Sequence, residues 1–532
     1  IALKISGKVF TRYRIDKKVL LFFLTLALST HINDAYRILC LFPYNGKSHF
    51  IVFEALCKGL ASKGHQIDMI SHFPTKKPIP NYTDIIDLSG TRKAIVSSFT
   101  IDFAKILDRS LVYYLTTDFG SSYCHLMGNE KMQKFIKNPP NDPPYDLIIT
   151  EYFASPCYLG FGHLLNAPVA IAVSFLEMPY IDNFMGNYTY HNLAYAPHNL
   201  LSYSQNMNFW QRMYNFLDNL YSIWAFNRVT VPQTEIMRKY VKPDAPDIRD
   251  LERNMSIILV NSHISTNGIK NLNPALIEVG GLHVHDDETV LLPPSLEKWM
   301  NESEHGFIYF SFGSMVMIES FPIETLRIFY NSMRKIAPVR VLMKIANSDK
   351  LPPGLPENVY ILPWIPQVKV FKHKNLKAFI THGGLMGTQE AIYFGIPLIG
   401  IPLFGDQNLN LQNVARKNVA VNLGSFKNVT EENLYNAIKS VLYDEKYKSN
   451  MQKLSELFKD RPMTALDTAV YWVEYVARHG YILQSSAVHL NVFQQNLLDV
   501  YGFMLLCVVT VLYLVILLIR KAKNFVFGHK SC

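Results

Sequence analysis

The body of this sequence lacks the charge that a nucleic-acid binder would need. The formal net charge of +9 sits at the two ends: residues 1–29 carry six Lys or Arg against one Asp, and residues 520–532 carry four with no acid. The rest is formally neutral, which removes the electrostatic footprint of a nucleic-acid partner. Cysteine is sparse as well, six in 532 residues, with Cys507 inside a long apolar run and Cys532 at the tail. That excludes a disulfide scaffold. Cys40, Cys57, Cys124 and Cys157 show no C-x-x-C spacing, so they read as buried apolar residues or as one or two bridges whose pairing stays open. No D-x-D occurs anywhere, so a metal-held diphosphate is not expected. The absence of internal repeats and low-complexity tracts excludes a repeat array.

Long apolar runs are present at both ends. Lys17 and Lys18 precede the apolar residues 19–28, and Ala27-Leu28-Ser29 offers small residues for cleavage, so residues 1–29 read as a secretory signal peptide. Residues 500–519 contain no charge, enough helix to cross roughly 30 Å of hydrocarbon. Arg520, Lys521, Lys523 and Lys530 follow, which places the basic tail 520–532 in the cytosol and the body across the membrane. A type I single-pass protein of the endoplasmic reticulum, with a juxtamembrane segment at 481–499, is the expectation. Sequons at Asn81, Asn187, Asn254, Asn301 and Asn428 fit a lumenal body.

A body with 49% apolar content for the whole chain is too long for one core, and two domains are expected at 30–285 and 286–480. Apolar runs at 37–42, 67–70, 147–150, 169–173 and 256–260 alternate with helical stretches, as do runs at 307–311, 339–344 and 360–362. That is the rhythm of open parallel α/β sheets. Two stretches stand apart. Residues 188–224 crowd Tyr190, Tyr195, Phe209, Trp210, Tyr214, Phe216, Tyr221 and Trp224 without strand patterning. Packing of inserted helices is the favoured reading, with a lining for an apolar acceptor or contact with a membrane surface as alternatives. His283, His285, Asp286, Asp287 and Glu288 have metal-ligand residue types but read as a solvated linker.

The most informative segment is 364–407. Trp364-Ile-Pro-Gln367 makes an aromatic-proline turn, and an apolar strand breaks into His382-Gly383-Gly384 and restarts as a helix at Thr388. Gly395-Ile-Pro397, a strand expected over 398–403 and Asp406-Gln407 follow. Strand, glycine turn and helix present backbone N–H groups and a positive helix end to phosphate.

In residue type, spacing and order this segment resembles the signature of the UDP-glycosyltransferase family, the UDP-glucuronosyltransferases and their insect and plant relatives. The resemblance implies two Rossmann-like domains facing across a cleft (the GT-B arrangement), plus the C-terminal helix, and an inverting transfer of a hexosyl group from a UDP-sugar to a small lipophilic alcohol or phenol. On the donor side it implies that Trp364 stacks uracil and that Gln367 and Glu390 serve the ribose. Diphosphate falls to His382, Gly384 and the helix opening at Gly387-Thr388, with Gly313-Ser314 as a second backbone approach, and Asp406 and Gln407 take sugar hydroxyls. Met386 stands where many members have an Asn that donates to phosphate. On the acceptor side His49 is the expected base, because a histidine near a helix N-terminus stays neutral and titrates near working pH. Glu151, where most relatives have Asp, orients it. Val260 stands where glucuronate-transferring members have an arginine, which favours UDP-glucose and an insect-type relative. No cofactor or metal is implied, and homo- or hetero-oligomers are compatible. The competing reading is a non-catalytic membrane-anchored relative that binds lipophilic ligands or regulates active partners. A soluble UDP-sugar epimerase is disfavoured by the apolar C-terminal run.

Overall fold

The computed structural model describes residues 35–107, 117–186, 190–285 and 290–528. The expected signal peptide, the acids 286–288 and the Asn187 sequon lie outside them. Two parallel sheets organise the chain. The first comprises β1 (Arg37–Phe42), β2 (Gln66–Ser71), β3 (Tyr82–Asp87), β4 (Leu147–Glu151), β5 (Val169–Val173), β6 (Met255–Val260) and β7 (Leu276–Glu278), in the order β3-β2-β1-β4-β5-β6-β7. Sequences such as VAIAV and MSIILV are buried at every position, because helices cover both faces of a parallel sheet and no side can be polar.

Three helices of this half bear on function: α1 (Lys47–Ser62), α2 (Pro179–Phe184) and α3 (Phe209–Thr230). The second sheet comprises β8 (Phe307–Ser311), β9 (Arg340–Lys344), β10 (Val359–Leu362), β11 (Leu376–Thr381), β12 (Leu398–Gly400) and β13 (Ala420–Asn422), in the order β10-β9-β8-β11-β12-β13. With it go α4 (Leu385–Tyr393), α5 (Gln407–Ala415), α6 (Ala465–His479) and α7 (Leu498–Gly528). α6 returns to the first half and packs on α1 so closely that a Cβ on Gly59 would come within 2.6 Å of Leu466. His65 and Glu474 tie the same junction at 3.1 Å.

In each sheet the strand order reverses direction once, between β1 and β4 and between β8 and β11. At such a switch point the crossovers diverge and leave a crevice beyond the strand C-termini. The halves also bond directly. Ser97 N–H donates to Ser314 O (2.7 Å) and Ile101 N–H to Ser320 Oγ (2.9 Å).

Several expectations from sequence are corrected. β12 ends at Gly400 rather than 403, since Pro402 carries no N–H for a ladder. α1 begins at Lys47, directly after Gly46, which puts His49 in its opening turn. α3 does not bury its aromatics: Phe209, Trp210, Tyr214, Tyr221 and Trp224 are exposed, while Asn215, Asn219, Ser222 and Thr230 face inward. The cysteines agree with the expectation and settle the open pairing: Cys124 and Cys157 form a disulfide, and Cys40 and Cys57 are buried free thiols. α7 runs from Leu498, with an apolar span of Leu498–Phe525 that no other described residue covers.

Candidate active site

A cleft of about 550 Å³ runs between the two switch points. On the first-half side α1 carries His49 in its opening turn, directly after the loop leaving β1. Glu151 is the last residue of the neighbouring β4 and is 3% exposed. Its Oε1 lies 2.5 Å from His49 Nδ1, so the carboxylate fixes the ring with Nε2 directed elsewhere. Glu151 does not line the cleft; it stands behind His49, which does. Tyr44 and Phe153 flank the imidazole with ring centroids at 4.8 Å, walling it from bulk water.

Opposite, the loops leaving β8 and β11 close on each other. His382 follows β11, and its half-buried ring is held between two glycines: a Cβ on Gly313 would sit 2.8 Å from its Cε1, and one on Gly384 would sit 2.7 Å from its Nε2. Gly313 also adopts a φ of +74°, which a side chain disfavours. Burial, reinforced by the Lys344 charge, pushes His382 down to about 4. In the empty cleft it is therefore neutral at pH 7 and can donate a hydrogen bond. The polar atoms Ser314 Oγ, His382 Nδ1 and Thr388 Oγ1 are buried without a partner among the described residues.

The helix start differs from expectation in a useful way. α4 begins at Leu385 with Gly384 as N-cap, and the Thr388 N–H is already donated to Gly384 O at 3.0 Å. The unsatisfied donors at this N-terminus are the backbone N–H groups of the turn that contains Met386 and Gly387. Thus the main chain of Met386 can offer the cleft an N–H where its side chain has nothing to donate. That side chain packs against Leu176, Leu385 and Leu409 instead. Thr388 itself is 3% exposed and does not line the cleft.

Trp364 is half-exposed at the rim, with an open face. Gln367 donates from Nε2 to Glu390 Oε2 at 2.5 Å, and burial raises the Glu390 carboxyl to about 7. Asp406 accepts from Asn410 Nδ2 at 2.9 Å, and burial holds its carboxyl above the ordinary range. Gln407 uses its carbonyl to accept from Leu403 and Phe404 N–H, at 2.9 and 3.1 Å, which keeps its amide group pointing to the cleft side of the turn.

Two residues escaped the sequence reading. Lys344 ends β9 and is 7% exposed, with its ammonium 2.9 Å from Gly313 O, 3.2 Å from Ser97 Oγ and 5.7 Å from the Trp364 ring centroid. Burial lowers it to about 8. A strand ending in lysine looks like any solvated strand end, so only its place beside β8 reveals it. His283 was read as part of a solvated linker, yet it is 2% exposed, 3.5 Å from Glu390 Oε1 and 3.3 Å from Met386 O. Burial pushes it to about 4, which makes it a neutral buttress for Glu390. Among the described residues no three His, Cys or carboxylate side chains converge as a metal site would require.

A sequence model of the family described as "UDP-glucoronosyl and UDP-glucosyl transferase" matches residues 93–531. The chain belongs to the UDP-glycosyltransferase family. It is 36% identical over 483 residues to UDP-glucosyltransferase 2 of Dactylopius coccus, covering 89% of this chain and 90% of that one. To human UDP-glucuronosyltransferase 1A10 it is 29% identical over 544 residues, covering 95% and 94%. Among solved structures, the glycosyltransferase VinC in complex with dTDP superposes with a TM-score of 0.54 at 17% identity, covering 84% of this chain and all of that one, a likeness of fold. The protein is thus a glycosyltransferase of GT-B architecture whose donor is a UDP-sugar, and its uncovered C-terminal helix suits membrane anchoring.

Proposed function

We propose that this UDP-glycosyltransferase moves glucose from UDP-glucose, with inversion and without a metal, to a hydroxyl of a small lipophilic acceptor in the lumen of the endoplasmic reticulum. The observation that carries the reading is the opening of the His49–Glu151 pair onto the cleft that also holds His382, Lys344 and the α4 N-terminus. His49 Nε2 takes the acceptor proton as the acceptor oxygen bonds to the anomeric carbon, and the bond from that carbon to the diphosphate oxygen breaks. Glu151 stabilises the imidazolium that results. The leaving UDP carries its charge toward Lys344 and the first-turn N–H groups of α4. Trp364 takes the uracil face, Gln367 and Glu390 the ribose, and Asp406 and Gln407 the sugar hydroxyls.

Glucose is favoured because Val260 is fully buried at the end of β6 and no arginine lines the cleft among the described residues. A sugar carboxylate would find no guanidinium there. The acceptor side is apolar, with Phe153, Phe175, Met178, Tyr180 and Leu200 among its walls. Offering the purified chain UDP-glucose and UDP-glucuronate separately with a panel of phenols tests donor and acceptor together. His49→Ala should lose product while retaining UDP. Transfer surviving that substitution would remove His49 as the base, and faster use of UDP-glucuronate would overturn the glucose assignment.

A further inference from the structure

Helix α3 is amphipathic the wrong way round for a soluble protein. Its exposed residues are Phe209, Trp210, Met213, Tyr214, Leu217, Leu220, Tyr221 and Trp224, a stripe at helical spacing, with Trp210 69% and Trp224 59% exposed. Its buried residues are polar for the most part, Asn215, Asn219, Ser222 and Thr230, with Ala225 and Phe226 beside them. Asn215 Oδ1 accepts from His198 N–H at 2.7 Å, its Nδ2 donates to the carbonyls of Leu193 (2.9 Å) and Ala196 (3.0 Å), and Asn219 Nδ2 donates to Asn215 O at 2.7 Å. The helix is held by these hydrogen bonds and, toward its C-terminal end, by Ile223 and Phe226 packed into the core, while the exposed stripe goes unused by it. The stripe carries no acid. Asp218, the one acidic residue of the helix, is turned in against His198, while Arg212 and Arg228 are exposed.

The placement of α7 says what covers this face. Gly186, just after α2, lies so close to Ala487 and Val488 that a Cβ there would meet them within 3.0 Å. Gln484 Nε2 donates to Asn254 Oδ1 at 3.1 Å in the same half. α2 in turn packs on α3. The chain therefore leaves the body beside the α2–α3 pair, and nine residues separate Val488 from the start of α7 at Leu498. Exposed Leu490, Val492, Phe493 and Leu497 occupy that interval and continue the apolar surface toward the span.

We infer that α3 lies flat in the headgroup region of the bilayer that α7 crosses, and that it seats the acceptor end of the cleft on the membrane. Tyr and Trp with flanking Arg are the side chains this zone favours, and a helix of 22 residues covers about 33 Å of surface. One aromatic layer separates the lipid from the site. Tyr180 of α2 lines the cleft and stacks on Phe226 of α3, with centroids 3.8 Å apart and planes 8° apart. An acceptor dissolved in the bilayer would thus enter beside α2. The inference rests on membrane anchoring through α7 and on the lipophilic acceptor proposed above.

The test uses the full chain reconstituted in phosphatidylcholine vesicles with and without brominated acyl chains. Two of the five tryptophans lie on the stripe, so bromolipid should remove up to about two fifths of the emission, and Trp210→Phe/Trp224→Phe should abolish the quenching. Equal quenching of parent and double variant would overturn the inference. So would an unquenched parent that resists alkaline carbonate extraction; a dimer in those vesicles would then give the face to a second copy. Extraction of the parent by carbonate would overturn the anchoring reading itself, which the first two results leave standing. Replacing Phe209, Trp210, Tyr221 and Trp224 by Ser should raise KM several-fold for a vesicle-dissolved acceptor and leave a water-soluble acceptor unchanged. An equal change for both would overturn the entry route.

Discussion

Glu151→Gln separates charge from orientation in the proposed base. The glutamine carbonyl can still accept from His49 Nδ1–H across the 2.5 Å contact, so the ring should keep its pose. What is lost is the negative charge beside an imidazolium that forms only during transfer. With charge centres about 4 Å apart and an effective dielectric near 20, that charge contributes about 4 kcal/mol. At 1.36 kcal/mol per factor of ten, kcat should fall about 10³-fold. KM for UDP-glucose should stay where it is, because Glu151 stands behind His49 on the first-half side and does not line the cleft. Initial rates of UDP release with a saturating phenol read both numbers. A loss below tenfold, or a donor KM that moves with kcat, would refute the reasoning, since the charge would then be serving structure or donor binding.

Lys344→Met keeps the length of the side chain and removes its charge. Loss of a charge-assisted contact to diphosphate predicts UDP binding roughly 10- to 100-fold weaker by calorimetry, with acceptor KM unchanged. Because burial holds Lys344 at about 8, UDP affinity of the parent should also fall as pH rises through 8, and this limb should vanish in the variant. Glu390 gives the opposite limb. Its carboxyl sits at about 7, so ionisation on going from pH 6 to 8 creates a stronger acceptor for ribose hydroxyls and UDP-glucose affinity should rise several-fold. Glu390→Gln should flatten that rise. For the empty protein the sign reverses: the raised carboxyl makes the native state bind more protons than the unfolded chain between about 4.5 and 7, so stability should decline by about 3 kcal/mol across that window.

Much of the frame is legible in the sequence because parallel strands buried on both faces leave runs such as VAIAV with no other use. The stretch from Trp364 to Gln407 is legible for a related reason: glycines at 383 and 384 are dictated by the close approach of chain and ring, and residue identity records that constraint. Position across the sheet is a different kind of fact. Lys344 and Gly313 meet because β9 lies beside β8, and nothing near residue 344 announces its neighbour 31 positions away. The same holds for His283, whose polar sequence context suggests solvent although α4 covers it. The aromatics of α3 mislead for a third reason. Composition tells how much apolar area a helix has, and only the partners of Asn215 and Asn219 tell which way it faces.

α4 does more than point its N-terminus at a phosphate. Gln389, fully buried on the same helix, donates to Asn261 O and accepts from Gly281 N–H, each at 3.1 Å, and so grips the end of β6 and the chain that joins the halves. One rod of nine residues thus turns its tip to the cleft proposed for the nucleotide and grips the connecting strap along its flank. Any rotation that parts the halves at this strap must break both Gln389 bonds or carry α4 along with the first half. Filling the donor site and setting the angle between the halves are therefore two readings of a single coordinate, the position of α4.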